Sequence, residues 1–263
     1  MLPVIFSFSF IEVRSYYLLW ASALFIFVFW TRRRAENIWG MDYEAVTQIL
    51  VRVYCAGILG SYAASVAEKL PALASGEISF AEAARGLSSW GGIAAGVITA
   101  FVSLRRRNIN AEAFAESASL PAAAMMAIGR IGCLAEGCCA GRGRFYASAP
   151  WWSIHLLSDA PGFYRFPSQL LESAVSLAAL SFMFAAERYR LAKGRKAPPA
   201  LFFPLYVLIY SVYRLVFDVF RETMPHTARF LWTSAVVFAL LWLSSSFARE
   251  RRMYGGKGAS PRQ

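Results

Sequence analysis

Residues 15–34 read SYYLLWASALFIFVFWTRRR, a run from Ser15 to Thr31 without one charged side chain, closed by Arg32, Arg33 and Arg34. A helix needs roughly 20 apolar residues to cross the hydrocarbon layer, and Lys or Arg at one end marks the cytoplasmic flank. The same pattern repeats along the chain. Apolar segments near 46–66, 90–104, 113–135, 168–186, 201–220 and 229–247 join 16–31 to make seven. Basic bursts follow every second one: Arg105, Arg106 and Arg107; then Arg188, Arg190, Lys193, Arg195 and Lys196; finally Arg249, Arg251 and Arg252. Placing every burst inside puts the N-terminus outside and the C-terminus in the cytoplasm, with Arg130 and Arg214 left within spans. The expectation is an all-α, polytopic membrane protein with seven transmembrane helices.

Composition agrees. Of 263 residues, 57% are apolar, 16% aromatic and 16% charged, against about 25% charged in a soluble domain. This excludes a disordered chain, a coiled coil and a small disulfide scaffold, and it argues against a water-soluble enzyme. The net charge of +11 does not point to nucleic acid, because the basic residues are not gathered on one solvated face. The organisation expected is one membrane domain over 1–254, with exterior segments 67–89 and 136–167 and a disordered tail over 255–263. Within the first exterior segment Glu77–Leu87 reads as a short amphipathic helix; Trp151, Trp152, Phe163 and Tyr164 suit an interface. No Lys or Arg precedes Leu2–Phe10 and no small-residue cleavage site follows it. The start therefore reads as an exterior segment lying on the membrane rather than a signal peptide.

Charged groups at bilayer depth cost a few kcal/mol or more, so each is a functional hypothesis. The richest cluster is Gly129-Arg130-Ile131-Gly132-Cys133-Leu134-Ala135-Glu136-Gly137-Cys138-Cys139-Ala140-Gly141-Arg142. Its glycines allow close approach or a broken helix, and an arginine in such a cavity offers a planar fork to a phosphate or carboxylate. The plainer reading pairs Arg130 with Asp218 or Glu172 for packing alone. In Arg165-Phe166-Pro167-Ser168-Gln169-Leu170-Leu171-Glu172, Pro167 and Ser168 suit a helix start, with Gln169 and Glu172 one turn apart on one face. In Tyr210 through Glu222, helical spacing stacks Tyr210, Arg214 and Asp218 on one side, with Arg221 one turn further out. A self-neutralised stripe is the alternative. Gly86 through Ile93, at the mouth of the third span, signals close packing by itself.

In this order the four motifs resemble those of the bacterial prolipoprotein diacylglyceryl transferase family, over about Glu12 to Phe247. Gly129-Arg130-Ile131-Gly132 with Gly141-Arg142 is similar to the family's GRxGNFxNGExxGR, Pro167 to Glu172 to its HPSQLYE, and Tyr210 to Arg221 to its YxxFRxxxExxR. The resemblance implies a multi-pass inner-membrane enzyme with seven spans. Such an enzyme moves the diacylglyceryl group of phosphatidylglycerol onto the lipobox cysteine of a preprolipoprotein, releasing glycerol phosphate, without cofactor. The departures are specific. Trp90 stands at the histidine of the family's SFHGG, Cys133 at the signature asparagine and Cys138 at its glutamate. Phe166 replaces a histidine, Asp218 a glutamate, and Gly60-Ser61-Tyr62 a Gly-Gly-Arg.

On this resemblance Arg130, Arg214 and Arg221 hold the phosphate, and Glu172 or Asp218 takes the thiol proton, since Trp90 cannot. Tyr16 and Tyr210 orient the substrate, and Gly129, Gly141, Arg142, Ser168 and Gln169 line its site. His155 and His226 read as ordinary exterior histidines. Cys55, Cys133, Cys138 and Cys139 lack paired CxxC or added histidine, so no metal is expected. They read as small buried thiols, with a Cys133–Cys138 disulfide open if the segment is not helical. The reading from another class is a non-catalytic paralogue that binds anionic phospholipid or lipoprotein. A transporter fits poorly, for no repeat is visible.

Overall fold

The computed structural model describes residues 4–8, 11–83, 86, 88–194, 200–221 and 226–255. They divide into two compact units, Arg32–Phe114 and a second built from Met1–Thr31 with Ala115–Gln263. Each of the seven apolar segments is helical: α1 Ser15–Trp39, α2 Tyr43–Glu68, α5 Ser89–Arg106, α6 Ala111–Glu136, α7 Ser168–Ala192, α8 Phe202–Phe217 and α9 His226–Gly255. By length and composition five of the described helices can cross a membrane: α2, α6, α7, α8 with the turn that follows it, and α9. The protein is thus a mostly helical membrane protein.

In the Arg32–Phe114 unit, α2 starts where the Asp42 carboxylate accepts the Ala45 N–H at 2.6 Å, satisfying a donor the helix cannot. It packs against α5 through small residues, Gly57 facing Gly92 and Gly60 facing Gly91. A Cβ on Gly60 would sit 2.7 Å from the Gly91 carbonyl oxygen. Small residues let backbones approach where lipid tails compete with side chains for apolar contact, so the close packing read from Gly86–Ile93 is observed. The helix expected over Glu77–Leu87 starts later, at Phe80. After α3 (Leu70–Ala74), α4 covers Phe80–Ala83; Ala84, Arg85 and Leu87 lie outside the described residues. Its start is set by a reciprocal cap: the Ser79 N–H donates to Glu82 Oε2 at 2.8 Å and the Glu82 N–H to Ser79 Oγ at 3.3 Å. The Ser79 N–H and hydroxyl hold the Glu82 carboxyl below its ordinary pKa.

In the other unit, β1 Val4–Phe8 pairs with β2 Ile11–Arg14 as an antiparallel hairpin. Its β-branched and aromatic residues suit a pleated strand. Leu120 and Ala123 of α6, Ala179 and Met183 of α7, Leu201, Phe202 and Tyr206 at α8, and Leu243 of α9 form one buried core. Glu116 of α6, fully buried, accepts the N–H groups of Phe202 and Phe203 at 2.9–3.0 Å. A carboxylate from one helix thereby caps the N-terminus of another, where orphan donors and the helix dipole favour negative charge. The segment between α6 and α7 is also ordered, with β3 Gly143–Phe145 paired to β4 Phe163–Arg165. The two small hairpins qualify the all-α expectation without changing the layer of helices. Of the tail expected over 255–263, Gly255 ends α9 and 256–263 lie outside the described residues.

Candidate active site

The site is built from α6, α7 and α8 of a single unit. On α8, Tyr210 and Arg214 share a side one turn apart, and Asp218 continues that side into the 3-10 turn Asp218–Phe220. Arg214 Nε donates to Asp218 at 2.9 Å, and its guanidinium lies 5.0 Å above the Trp232 ring of α9. Trp232 Nε1 donates to the same carboxylate at 3.1 Å. Arg221 Nη1 lies 3.9 Å from Asp218 Oδ1. From α7, Glu172 presents Oε1 to three groups: Arg130 Nη2 of α6 at 2.7 Å, Arg214 Nη1 at 3.6 Å, and the Tyr210 hydroxyl, which donates to it. Sequence spacing stacked the α8 residues; only the tertiary structure brings Arg130 and Arg214 onto one carboxylate.

Burial orders these groups. The side chains of Glu172 and Asp218 are 3% exposed, while Arg130, Arg214 and Arg221 are 14%, 13% and 18% exposed. The carboxylates therefore lie behind the guanidinium groups, and three positive charges face two negative ones. With the acids the more deeply buried and the arginines the more exposed, the cluster keeps a net positive charge that favours an anion. The buried Arg130 Nε has no hydrogen-bond partner, which is a donor still to be satisfied.

The chain from Gly129 to Arg142 wraps one edge of this cluster. Gly137, at φ +79°, ends α6 in a turn, and the Cys138 N–H returns to the Cys133 carbonyl at 3.0 Å, a left-handed cap that suits glycine. The first residues of α7 hold the turn. Gln169 Nε2 donates to the Cys138 carbonyl at 2.8 Å and the Ser168 hydroxyl to that of Cys139 at 2.9 Å. Ser168 thus begins α7 as expected, but its hydroxyl grips the neighbouring loop instead of capping its own helix. Gly141 is wedged between two backbone segments: a Cβ there would lie 2.6 Å from the Phe166 carbonyl oxygen and 2.9 Å from that of Phe220. Arg142 Nε donates to the Arg221 carbonyl at 3.0 Å, tying this loop to the end of the α8 stripe. Arg14 pairs with Glu136 at 2.7 Å on the same edge.

The other residues singled out in the sequence make contacts of their own. Tyr16 packs edge-on against Tyr17, and its carbonyl lies beside Gly132; Gly129 faces the Trp20 ring. Trp90 opens α5 in the other unit. Phe166 stacks on Phe220 with ring centroids 4.8 Å apart and offers no proton acceptor. His155 is exposed, its Nδ1 2.8 Å from the Phe163 carbonyl oxygen; the His226 side chain lies outside those described. The cysteine reading needs correction. All four thiols are free, Cys133 is buried, Cys138 half-buried and Cys139 exposed, and the sulfurs of Cys133, Cys138 and Cys139 lie within 4.8 Å of one another. Thiol hydrogen bonds from Cys133 and Cys138, then the charges of Arg130 and Arg221, lower the pKa of Cys139. Arg130 Nη1 is 4.0 Å from Cys133 Sγ. The sequence reading missed Trp232, whose indole has no charge to signal it 14 residues after Asp218.

Known proteins similar to this chain carry one name. A phosphatidylglycerol–prolipoprotein diacylglyceryl transferase of Paenarthrobacter aurescens is 29% identical over 175 residues, covering 61% of this chain and 52% of that protein. Transferase 1 of Streptomyces coelicolor is 31% identical over 176 residues, 64% of this chain and 48% of that protein. The transferase of Dehalococcoides mccartyi is 26% identical over 225 residues, covering 83% and 82%. The chain spans about half the length of the first two. The model of the family described as prolipoprotein diacylglyceryl transferase matches residues 3–249, a range that holds every residue of the arginine cluster, and the chain belongs to that family.

Proposed function

We propose that this chain transfers the diacylglyceryl group of phosphatidylglycerol to the lipobox cysteine thiol of preprolipoproteins, releasing glycerol phosphate. It does so as a single multi-pass domain over 1–254 in the bacterial inner membrane, with seven spans, the N-terminus outside and the C-terminus cytoplasmic. One observation carries the reading: Arg130 of α6 and Arg214 of α8 meet at Glu172, with Arg221 beside them and both acids buried behind. Family membership and the names of the relatives support the same reaction.

In this reading the three guanidinium groups hold the lipid phosphate and stabilise the charge that leaves with it, in a site drier than water where such contacts count for more. Glu172 and Asp218 hold those groups in position and are the carboxylates within reach of the thiol proton. Tyr210 fixes the Glu172 end, and Ser168, Gln169, Gly129, Gly141 and Arg142 shape the wall, with Tyr16 at its rim. Trp90 and Phe166, where the family has histidines, favour the second reading, a paralogue that binds anionic phospholipid or lipoprotein without turnover.

A purified full-length chain incubated with phosphatidylglycerol and a lipobox peptide decides between them. Mass spectrometry is expected to find the diacylglyceryl increment on the peptide cysteine, and Arg130→Ala and Arg214→Ala to abolish it. Binding of both substrates with no increment at any pH would establish the second reading.

A further inference from the structure

The three clustered thiols have no part in holding phosphate, and packing alone does not explain them. Cys139 is a non-glycine residue at φ +60°, a conformation that costs energy and persists only where surroundings enforce it. Here they do: Gln169 and Ser168 hold the carbonyls of Cys138 and Cys139, and Gly137 folds both thiols back over Cys133. The result is three free sulfurs within 4.8 Å of one another, one buried, one half-buried and one open to the outside of the protein.

We propose that Cys133, Cys138 and Cys139 form a three-thiolate site for a thiophilic divalent cation of the zinc type, with the fourth coordination position open to the acceptor thiol. Zinc–thiolate bonds of about 2.3 Å put tetrahedral sulfurs roughly 3.8 Å apart, so side-chain rotation of at most about 1 Å closes the site. Three protein ligands and one vacant position are the pattern of catalytic zinc, whereas structural zinc takes four. The cation brings two positive charges to three thiolates, and Arg130, 4.0 Å from Cys133 Sγ, meets the remaining negative charge. Exposed Cys139 supplies the entry path.

The role of the open position rests on the transferase reading. A thiol that coordinates zinc gives up its proton, here to water. The bound sulfur then forms the S–C bond to the glycerol carbon, and the C–O electron pair leaves with glycerol phosphate. That activates the acceptor without the histidine that Trp90 replaces.

The test loads the reduced, detergent-solubilised full chain with zinc, then with cadmium, and measures bound metal by mass spectrometry and the cadmium–thiolate charge-transfer band in the ultraviolet. One equivalent per chain is expected. Cys133→Ser and Cys139→Ser should each weaken binding at least tenfold, and Cys55→Ser, in the other unit, should leave it unchanged. No bound metal, a thiol count showing a disulfide in its place, or equal loss in Cys55→Ser overturns the site. In the transfer assay Cys139→Ser should lose more than tenfold at neutral pH and recover in alkali, where the acceptor thiol ionises unaided. Full transfer by metal-free protein would overturn the inference and leave the transferase reading standing. Stoichiometric metal with no transfer would uphold the site and count against the transferase reading on which its role rests.

Discussion

Glu172 accepts from Arg130, Arg214 and Tyr210 while 3% exposed, so Glu172→Ala leaves the buried Arg130 guanidinium without its counter-charge and Arg214 with Asp218 alone. Removing one partner of a buried pair costs about 3–5 kcal/mol, and thermal unfolding in detergent should show that loss, with lipid binding weakened alongside. Arg214→Lys tests a different property. Lysine keeps the charge but loses the planar fork that spans Asp218 and Glu172 and lies over Trp232, so transfer should fall on the order of 10²-fold, the scale of losing one transition-state donor, with stability nearly kept. At Gly141 the constraint is steric: a methyl group 2.6 Å from the Phe166 carbonyl oxygen must push the backbone segments at Phe166 and Phe220 apart. Gly141→Ala should destabilise by roughly 1–3 kcal/mol, measured as a lower Tm. Arg130 and Arg214 stood out as candidates because charge is costly within a span, and Gly141-Arg142 because it completes the motif that begins at Gly129. Trp232 did not, because an apolar ring in an apolar helix raises no question until its N–H is seen on Asp218.

The seven apolar segments announced their helices, since periodic burial and basic flanks are written into the chain. The ends of elements were less legible. The start of α4 at Phe80 follows from a cap between Ser79 and Glu82, which sets it later than the amphipathic pattern read over 77–87. The start of α8 is set from a distance: Glu116 lies 86 residues before Phe202, and no local signal marks it as a cap. Glu116→Ala should therefore destabilise the α6–α8 packing by about 2 kcal/mol, as lost caps and charged hydrogen bonds do. Glu116→Gln, which keeps an acceptor, should cost less. Chemical unfolding of both variants checks the order, and the folded Glu116→Gln protein should keep its transfer rate.

At the scale of the whole chain, the proposed topology predicts opposite behaviour of two reporters fused at the same place. A fluorescent protein fused after residue 263 should mature in the cytoplasm, whereas alkaline phosphatase at the same place should stay inactive; the reverse result would invert the orientation. Hydropathy, the basic bursts and the order of four motifs are properties of the chain read in one dimension, and they determined a helical membrane protein and its family. Which charges pair, and which sulfurs meet, depends on groups far apart in sequence: Arg130 with Glu172, Arg214 with both acids, Trp232 with Asp218, and a turn after α6 that lays Cys138 and Cys139 over Cys133. Those choices were settled only by tertiary packing, because a buried charge takes the partner that packing brings within about 4 Å, and sequence separation carries no information about that distance.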